Sequence, residues 1–413
     1  MTLEFIETTQ ENIFVTGKAG TGKSTLLMSF RESTKRKVAV LAPTGVAALN
    51  VQGQTIHSFF RFKPNMSLED IEKKAGRLKG TGLYQNLDTI ILDEISMVRA
   101  DLLDSIDAFL RTVLKTDSPF GGKQMIFIGD LYQLPPVVSP AERPYFSDVY
   151  ATPYFFSAHV MSHPEFKLRT IELEKIYRQT DDAFIELLNA IRHNSVTELQ
   201  IDHLNTRLEP QPDDAGYIHL TSTNRQAEKI NIEKLAQLPS RLEQFDAEME
   251  GEFNPKDAPT ETQLKLKIGA QVMFLNNDSA GRWVNGTIGE IVDIGETIDV
   301  MLPIGFVVPV MPHKWSMIRY AYDKNQRQMT KEPVGSFTQY PIKLAWAITI
   351  HKSQGKTFDK VIVDLERGTF AHGQAYVALS RCRTFEGLVL KHPFRKSHVI
   401  VDYRVLRGGT ISK

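Results

Sequence analysis

Residues Gly17–Ser24 read GKAGTGKS, and no other stretch restricts what the chain can fold into so tightly. The pattern is G-x-x-x-x-G-K-S, with the apolar run Ile13–Val15 leading in and Thr25–Met28 leading out as the start of a helix. Gly17, Gly20 and Gly22 let the backbone turn its N–H groups inward, where side chains would block them. The helix that follows presents its positive end to phosphate. Lys23 is placed to reach the β- and γ-phosphates of a nucleoside triphosphate, and Ser24 to offer its hydroxyl to Mg²⁺. Such a strand, loop and helix commit the early chain to an α/β sheet, but do not say what the nucleotide's energy is used for.

The rest of the first half obeys that constraint. Ile13–Val15, Val38–Leu41, Thr89–Leu92 and Met125–Ile128 are short β-branched apolar runs ending in polar residues, the pattern of buried parallel strands. Within Val98–Leu114, Leu102, Ile106, Phe109, Leu110 and Val113 fall at helical spacing. A doubly wound α/β domain is expected, with its chemistry at the carboxyl ends of the strands. Those ends carry APTGVAALN (Ala42–Asn50), DEIS (Asp93–Ser96) and GDLYQLPPV (Gly129–Val137). Asp93 fits the acid that holds Mg²⁺, and Glu94 the base that deprotonates the attacking water. Gln133 is an uncharged side chain placed to touch the γ-phosphate or its water, or else an ordinary loop amide.

Past Thr55 the pattern loosens. Ile56–Phe62 is aromatic-rich with His57 and Arg61, and a polar, basic stretch follows to Gly80, suggesting a small insertion. Aromatics interleaved with basic residues suit stacking on single-stranded bases. Phe59, Phe60 and Phe62 read as well as core side chains, the commoner use of aromatics. Ser139–Lys167, rich in Pro, Tyr, Phe and His without periodicity, reads as a linker or domain edge. A second α/β set without a P-loop follows, with strands Ile171–Glu174, Tyr217–Leu220 and Val361–Asp364 and helices Asp182–His193 and Arg225–Leu235. From about Leu266 to Pro341, the strand-like pieces Gln271–Leu275, Thr287–Ile294, Ile298–Leu302 and Val307–Met311 form a small all-β insert. The chain then returns to helix and strand with Leu344–Ile350. Arg178 in EKIYRQ and Arg381 in YVALSRCR suit charge stabilisation across a cleft, although either alone reads more readily as a surface ion pair.

Composition sets the outer bounds. A chain of 413 residues exceeds one compact core, so two to four domains are expected. Lys+Arg and Asp+Glu both number 49, which argues against nucleic-acid binding through bulk charge but leaves room for a local basic groove. Cys382 is the single cysteine, so no intramolecular disulfide forms, as suits a reducing compartment. No apolar run approaches membrane-spanning length, and MTLEFIETTQ lacks the basic-then-apolar pattern of a secretory leader. A cytoplasmic protein, bacterial or phage, without a membrane partner is expected.

GKAGTGKS, APTGVAA, TIHSF, DEIS, GDLYQLPP, EKIYRQ, TSTNRQAEKIN, AITIHKSQGKTFDKV and YVALSR stand in the order of the superfamily-one helicase motifs. From Ile13 to about Arg383 the chain most resembles the B-type group, the Pif family and its RecD-like relatives. The resemblance implies an α/β fold of two RecA-like doubly wound parallel-sheet domains with a small 1B insertion and an SH3-like all-β 2B insertion. Domain 1A would span 1–56 and 83–165, 1B 57–82, 2A 166–264 and 342–413, and 2B 265–341. It implies an ATP-dependent helicase moving 5′ to 3′ on single-stranded DNA, using ATP and Mg²⁺, in replication, repair and telomere maintenance. Its partners would be single-stranded DNA and tailed or forked duplexes, with a monomer off DNA.

By the same resemblance, Gly20, Thr21, Gly22, Lys23, Ser24 and Thr25 would bind phosphates and Mg²⁺. Asp93 would help hold the metal, and Glu94 would be the base. Gln133, Arg178 and Arg381 would act on the γ-phosphate from both lobes, and Gly355 would close the site. Gln10 stands for the family's adenine-reading glutamine, in a segment shorter than is usual there. Pro43, Thr44, Gly45, His57, Ser58 and Phe59 would line the single-strand path in the first lobe, and Thr223, Asn224, His351, Lys352 and Ser353 in the second. Two other functions fit less of the pattern: a translocase that strips proteins or acts on RNA, and a nucleotide-gated DNA-binding module that does not unwind.

Overall fold

A computed structural model describes residues 2–63, 66–78, 81–212, 215–323, 328–365 and 368–408. The β-branched runs of the first half form a parallel sheet in the order Gln54–Thr55, Val38–Ala42, Thr89–Leu92, Gln124–Ile128, Asn12–Gly17, Leu168–Leu173. Alternation along the strands serves two cores. Phe14, Leu41, Ile90, Leu92 and Phe127 face one side, and Ile13, Val15, Val40, Ile91 and Ile126 the other. Helix Ala100–Leu114 covers the first side with Leu103, Ile106, Phe109, Leu110 and Val113. Helix Lys23–Ser33 covers the second with Leu27 and Phe30.

Two expectations are corrected in this lobe, and the core reading of the Phe59–Phe62 aromatics is borne out. Leu168–Leu173 contains most of the strand assigned to the second lobe, yet it pairs in parallel with Asn12–Gly17 and ends the first sheet. It is an edge strand with one neighbour, so its partly exposed residues gave no sign of which sheet it joins. Of the two readings of Ser139–Lys167, a linker or a domain edge, the linker fails. Helix Arg143–Val149 and the short turns Phe155–Ser157 and His159–Ser162 bring Tyr150, Tyr154, Phe155, Val160 and Phe166 into the first core. The buried Asp104 carboxylate pins this stretch, accepting from His159 N and Val160 N at 3.0 Å each. Finally, Phe59, Phe60 and Phe62 are core side chains. Phe59 packs edge-on against Phe60, Tyr84 and Tyr320, and Phe60 stacks on Phe62. Helix Leu68–Gly76 opens with a Ser67–Asp70 capping box and lays Ile71 and Ala75 on the same core. Residues 64–65 and 79–80 of the expected insertion lie outside the described residues.

The second lobe holds a four-stranded parallel sheet in the order Ala347–Thr349, Ile218–Thr221, Val361–Asp364, Leu388–Leu390. Helices Asp182–Arg192 and Asn224–Gln237 flank it. The all-β insert is an antiparallel sheet of Val307–Val310, Ile298–Met301, Ile288–Ile294, Gln271–Phe274 and Ile342–Leu344. Ile342–Leu344, expected beyond the insert, completes its sheet, and Leu264 and Leu266 enter its core from the other side.

Sequence patterning did not reveal the long hairpin His313–Asp323 with Gln328–Gln339, joined by Glu248–Gly251. It reaches back to the first lobe, where Tyr320 N donates to Gln54 Oε1 at 3.2 Å and Val40 N donates to the Tyr320 hydroxyl at 3.1 Å. Among the described residues no helix is long and apolar enough to cross a membrane.

Candidate active site

Strand Asn12–Gly17 runs straight into the phosphate loop, and helix Lys23–Ser33 begins where it ends. Gly20 and Gly22 have φ of 81° and 84°, the left-handed region where a side chain is disfavoured. Space matters as well, because a Cβ on Gly20 would fall 2.4 Å from the Arg178 Cβ. The Lys23 ammonium donates to Gly17 O at 2.7 Å and Lys18 O at 3.0 Å. Burial pushes its pKa down, against the nearby carboxylates of Asp130 and Glu94.

The loop faces a cleft of about 1010 Å³ between the lobes. Gly20, Thr21, Gly22, Lys23, Ser24, Thr25, Asp93, Glu94, Gln133, Arg178, Gly355 and Arg381 all line it. The fold thus brings together the residues expected to form the phosphate site from six separate stretches of chain.

Asp93 and Glu94 follow strand Thr89–Leu92. Burial and the adjacent Glu94 charge push the Asp93 carboxyl up to about 7. Glu94 is raised too, chiefly by burial, and its backbone sits at φ 50°, ψ 44°. A non-glycine residue held there is a local strain of the kind concentrated at functional sites.

Gln354, which sequence reasoning passed over, donates from Nε2 to Glu94 Oε2 at 3.1 Å and to Gln133 Oε1 at 3.3 Å. Its only signal in the chain was its place between Ser353 and Gly355. Tyr177 was passed over as well. The residue is 66% exposed, and its ring lines the cleft beside Gly22 as a flat face suited to a nucleobase.

Arg178 is half-buried and Arg381 buried, and among the described residues neither has a carboxylate hydrogen bond. Arg178 lies on the crossover between lobes and donates to Ser380 O at 3.1 Å, and burial pushes it down to about 10. Arg381 is 1% exposed and donates to Val377 O, Lys356 O and Ser380 Oγ. Burial, reinforced by Arg178, pushes its pKa well down. Two desolvated guanidiniums satisfied by neutral oxygens make a strongly anion-favouring wall.

Gln10 does not join them. It is exposed at the amino end of strand Asn12–Gly17, whereas the phosphate loop follows the carboxyl end. The strand's rise of ~3.3 Å per residue keeps the two apart.

The residues expected to line a DNA path divide. Pro43, Thr44, Gly45 and His57 line a second cleft of about 380 Å³, together with Lys256 and Asp257. Asp257 leans on Gly45 so closely that a Cβ there would fall 2.5 Å from Asp257 Oδ1. Ser58 is exposed, and its hydroxyl accepts from Gln54 Nε2. Phe59 is 3% exposed, so its ring faces the core and not a groove. In the second lobe Thr223 caps helix Asn224–Gln237 by accepting from Gln226 N, as Thr44 accepts from Ala47 N in the first. Asn224 and Lys352 are exposed, and His351 stacks on the exposed Phe370. Ser353 is corrected, since it is fully buried and its hydroxyl donates to Ile350 O at 2.7 Å.

The chemistry of this set fits ATP with Mg²⁺. Mg²⁺ takes one or two carboxylates with substrate phosphates and keeps several waters. Asp93 and the Ser24 hydroxyl on one cleft wall meet that need, and no cluster of three or more acidic, His or Cys residues suited to a metal occurs among the described residues.

A family model described as PIF1-like helicase matches residues 3–201. The chain is 34% identical over 405 residues to ATP-dependent DNA helicase Pif1 of Bdellovibrio bacteriovorus, covering 96% of this chain and 87% of that protein. It spans 58% of the length of the zebrafish and human PIF1 relatives. Pif1 from Bacteroides sp. in complex with ADP-AlF4 superposes with a TM-score of 0.89 at 39% identity, over 98% of this chain and 94% of that one. Bacteroides Pif1 bound to ssDNA superposes with a TM-score of 0.68 at 39% identity over the same shares.

Proposed function

The chain belongs to the PIF1-like helicase family of ATP-dependent DNA helicases, and we propose that it moves 5′ to 3′ along single-stranded DNA and opens tailed or forked duplexes, working as a monomer off DNA. One observation carries the catalytic part of this reading: a single cleft is lined by Lys23, Asp93 and Glu94 of one lobe and by Arg178 and Arg381 from the crossover and the other lobe. Hydrolysis there depends on how the lobes sit, and that dependence converts chemistry into motion.

Lys23 and the loop N–H groups bind the β- and γ-phosphates, and Tyr177 offers its ring to the base. Ser24 and Asp93 would hold Mg²⁺, which would supply neutralisation of the phosphate charge. Glu94 takes the proton of the attacking water, and Gln133 orients that water. Arg178 and Arg381 stabilise the charge that builds on the transferred phosphoryl group. Each lobe grips the strand through phosphate contacts, which give position without sequence preference. The Pro43–Gly45 and His57 cleft serves the first lobe, and Thr223, Asn224, His351 and Lys352 the second.

Two duplexes, one with a 5′ single-stranded tail and one with a 3′ tail, test the polarity with ATP and Mg²⁺. The 5′-tailed duplex opens and the 3′-tailed one does not. Opening of the 3′-tailed duplex alone overturns the direction, and DNA-stimulated ATPase with neither opened favours a translocase that does not unwind.

The first-lobe cleft makes its own prediction. Asp257 holds a carboxylate against Gly45, where a DNA phosphate would approach. Asp257→Asn raises affinity for single-stranded DNA about fivefold at low salt, and the gain fades as salt screens the charge. Affinity unchanged or lowered in a fluorescence-anisotropy titration would remove this cleft from the DNA path.

A further inference from the structure

The inner face of motif GDLYQLPP carries a buried ion pair that phosphate chemistry alone does not explain. Asp130 follows strand Gln124–Ile128 in the first lobe, and Arg192 ends helix Asp182–Arg192 in the second. Arg192 Nη2 lies 3.0 Å from Asp130 Oδ1, with the two side chains 4% and 0% exposed. The guanidinium also lies over the Tyr132 ring, 3.9 Å from its centroid, and approaches His193 Nε2 at 3.2 Å. Burial works against the Asp130 charge, but Arg192 and Lys23 outweigh it and hold the carboxyl below its usual range. Removing two charges from water is costly, and such a pair is weak evidence for stability on its own. Its position suggests what it does.

Asp130 gives its two oxygens different tasks. Oδ1 takes Arg192 from the other lobe, and Oδ2 accepts from Gln133 Nε2 at 3.2 Å. An ionised carboxylate only accepts, so this bond fixes which end of the Gln133 amide points where. Gln133 Oε1 is thereby turned to Gln354 Nε2 at 3.3 Å, and Gln354 continues to Glu94 Oε2 at 3.1 Å. Arg192, Asp130, Gln133, Gln354 and Glu94 form one chain of contacts crossing between the lobes three times.

We infer that Arg192 is a positioning residue for hydrolysis: through Asp130 it sets the orientation of the Gln133 amide, so that the water-orienting group is aligned only while the second lobe stands where helix Asp182–Arg192 can reach it. This rests on the reading of Gln133 and Glu94 given above. It adds to it a residue outside the motifs and a route by which lobe position reaches the γ-phosphate side of the site. A guanidinium that merely glued the lobes together would have no reason to share its carboxylate with that amide.

The test uses the full chain and its DNA-stimulated ATPase with Mg²⁺. Arg192→Met alone leaves a buried carboxylate without its cation and endangers folding, so Arg192→Met/Asp130→Asn, which removes both charges, accompanies it. The double variant keeps its fold by circular dichroism. Its kcat falls about 30-fold, within the ~10²-fold that a misplaced catalytic group costs, and its KM for ATP moves less than about threefold. Adding Gln133→Ala slows it no further than Gln133→Ala alone. Losses that multiply, or a double variant at wild-type kcat beside an impaired Gln133→Ala, overturn the proposal and leave the active-site reading standing. Wild-type kcat in Gln133→Ala itself overturns both.

Discussion

Replacing Lys23 with alanine abolishes ATP turnover and leaves the fold as stable as before or more so. The two halves of that expectation have separate causes. Turnover falls because the ammonium is the loop cation that lines the cleft. Held by Gly17 O and Lys18 O at the bottom of the cleft, it meets the β- and γ-phosphates where charge develops. Removing one such preorganised donor costs about 10²–10³-fold, and losing a full charge in a water-poor site puts the effect at the upper end. Stability follows from linkage. Burial lowers the pKa of Lys23 in the folded state. A lysine whose folded pKa lies below its unfolded value takes up protons more readily when the chain is unfolded. It therefore opposes folding at every pH below the unfolded pKa, neutral pH included. Alanine removes that opposition. Steady-state ATPase with single-stranded DNA, alongside a thermal melt at pH 7, checks both halves. Turnover near wild type would dismiss the phosphate-loop assignment, and a large drop in melting midpoint would mean that the Lys23 contacts are structural.

How much of this was legible in the chain depends on how locally each feature is encoded. The strands under the phosphate loop were legible because each is a short β-branched run buried on both faces, and Thr89–Leu92 was found to the residue. Lys23, Asp93, Glu94 and Gln133 were legible because each follows such a strand, whereas Arg178 and Arg381 were legible only through the motifs that hold them. Leu168–Leu173 was misassigned because an edge strand does not encode which sheet it joins. Tyr154, Phe155 and Phe166 were hidden because single anchors on irregular turns have no period. Gln10 was misplaced because residue type was read without asking which end of the strand it occupies. Ser353 and Phe59 stand inside motifs beside the exposed Lys352 and Ser58, and nothing in a motif states which way each side chain turns. Arg192 and Gln354 were invisible for the most basic reason. Their partners lie 62 and 260 residues away, and a pair across a cleft exists only once two lobes have folded and met.

Glu94→Gln separates binding from chemistry in one substitution. The two side chains have nearly the same shape, and a glutamine oxygen can still accept from Gln354 Nε2, which now bonds Glu94 Oε2 at 3.1 Å. The strained φ of 50° at this position is set by the turn after Thr89–Leu92 and is not changed by an amide. Asp93 keeps its own place, because its N–H donates to Leu41 O at 2.9 Å whatever stands next to it. What is lost is the capacity to take a proton. Glu94 is fully engaged in the cleft, and its burial raises its affinity for a proton, which suits a base that must hold one briefly and release it. Hydrolysis therefore falls about 10²–10⁴-fold, the range for a general base, while nucleotide affinity stays within about threefold. A fluorescent ATP analogue measures the binding, and single-turnover hydrolysis with DNA present measures the chemistry. A variant that still hydrolyses at wild-type rate would strip Glu94 of its role. One that loses binding along with hydrolysis would make Glu94 part of the metal and phosphate cradle. Only binding kept and chemistry lost leaves the proton with Glu94, and the arginines across the cleft with charge alone to stabilise.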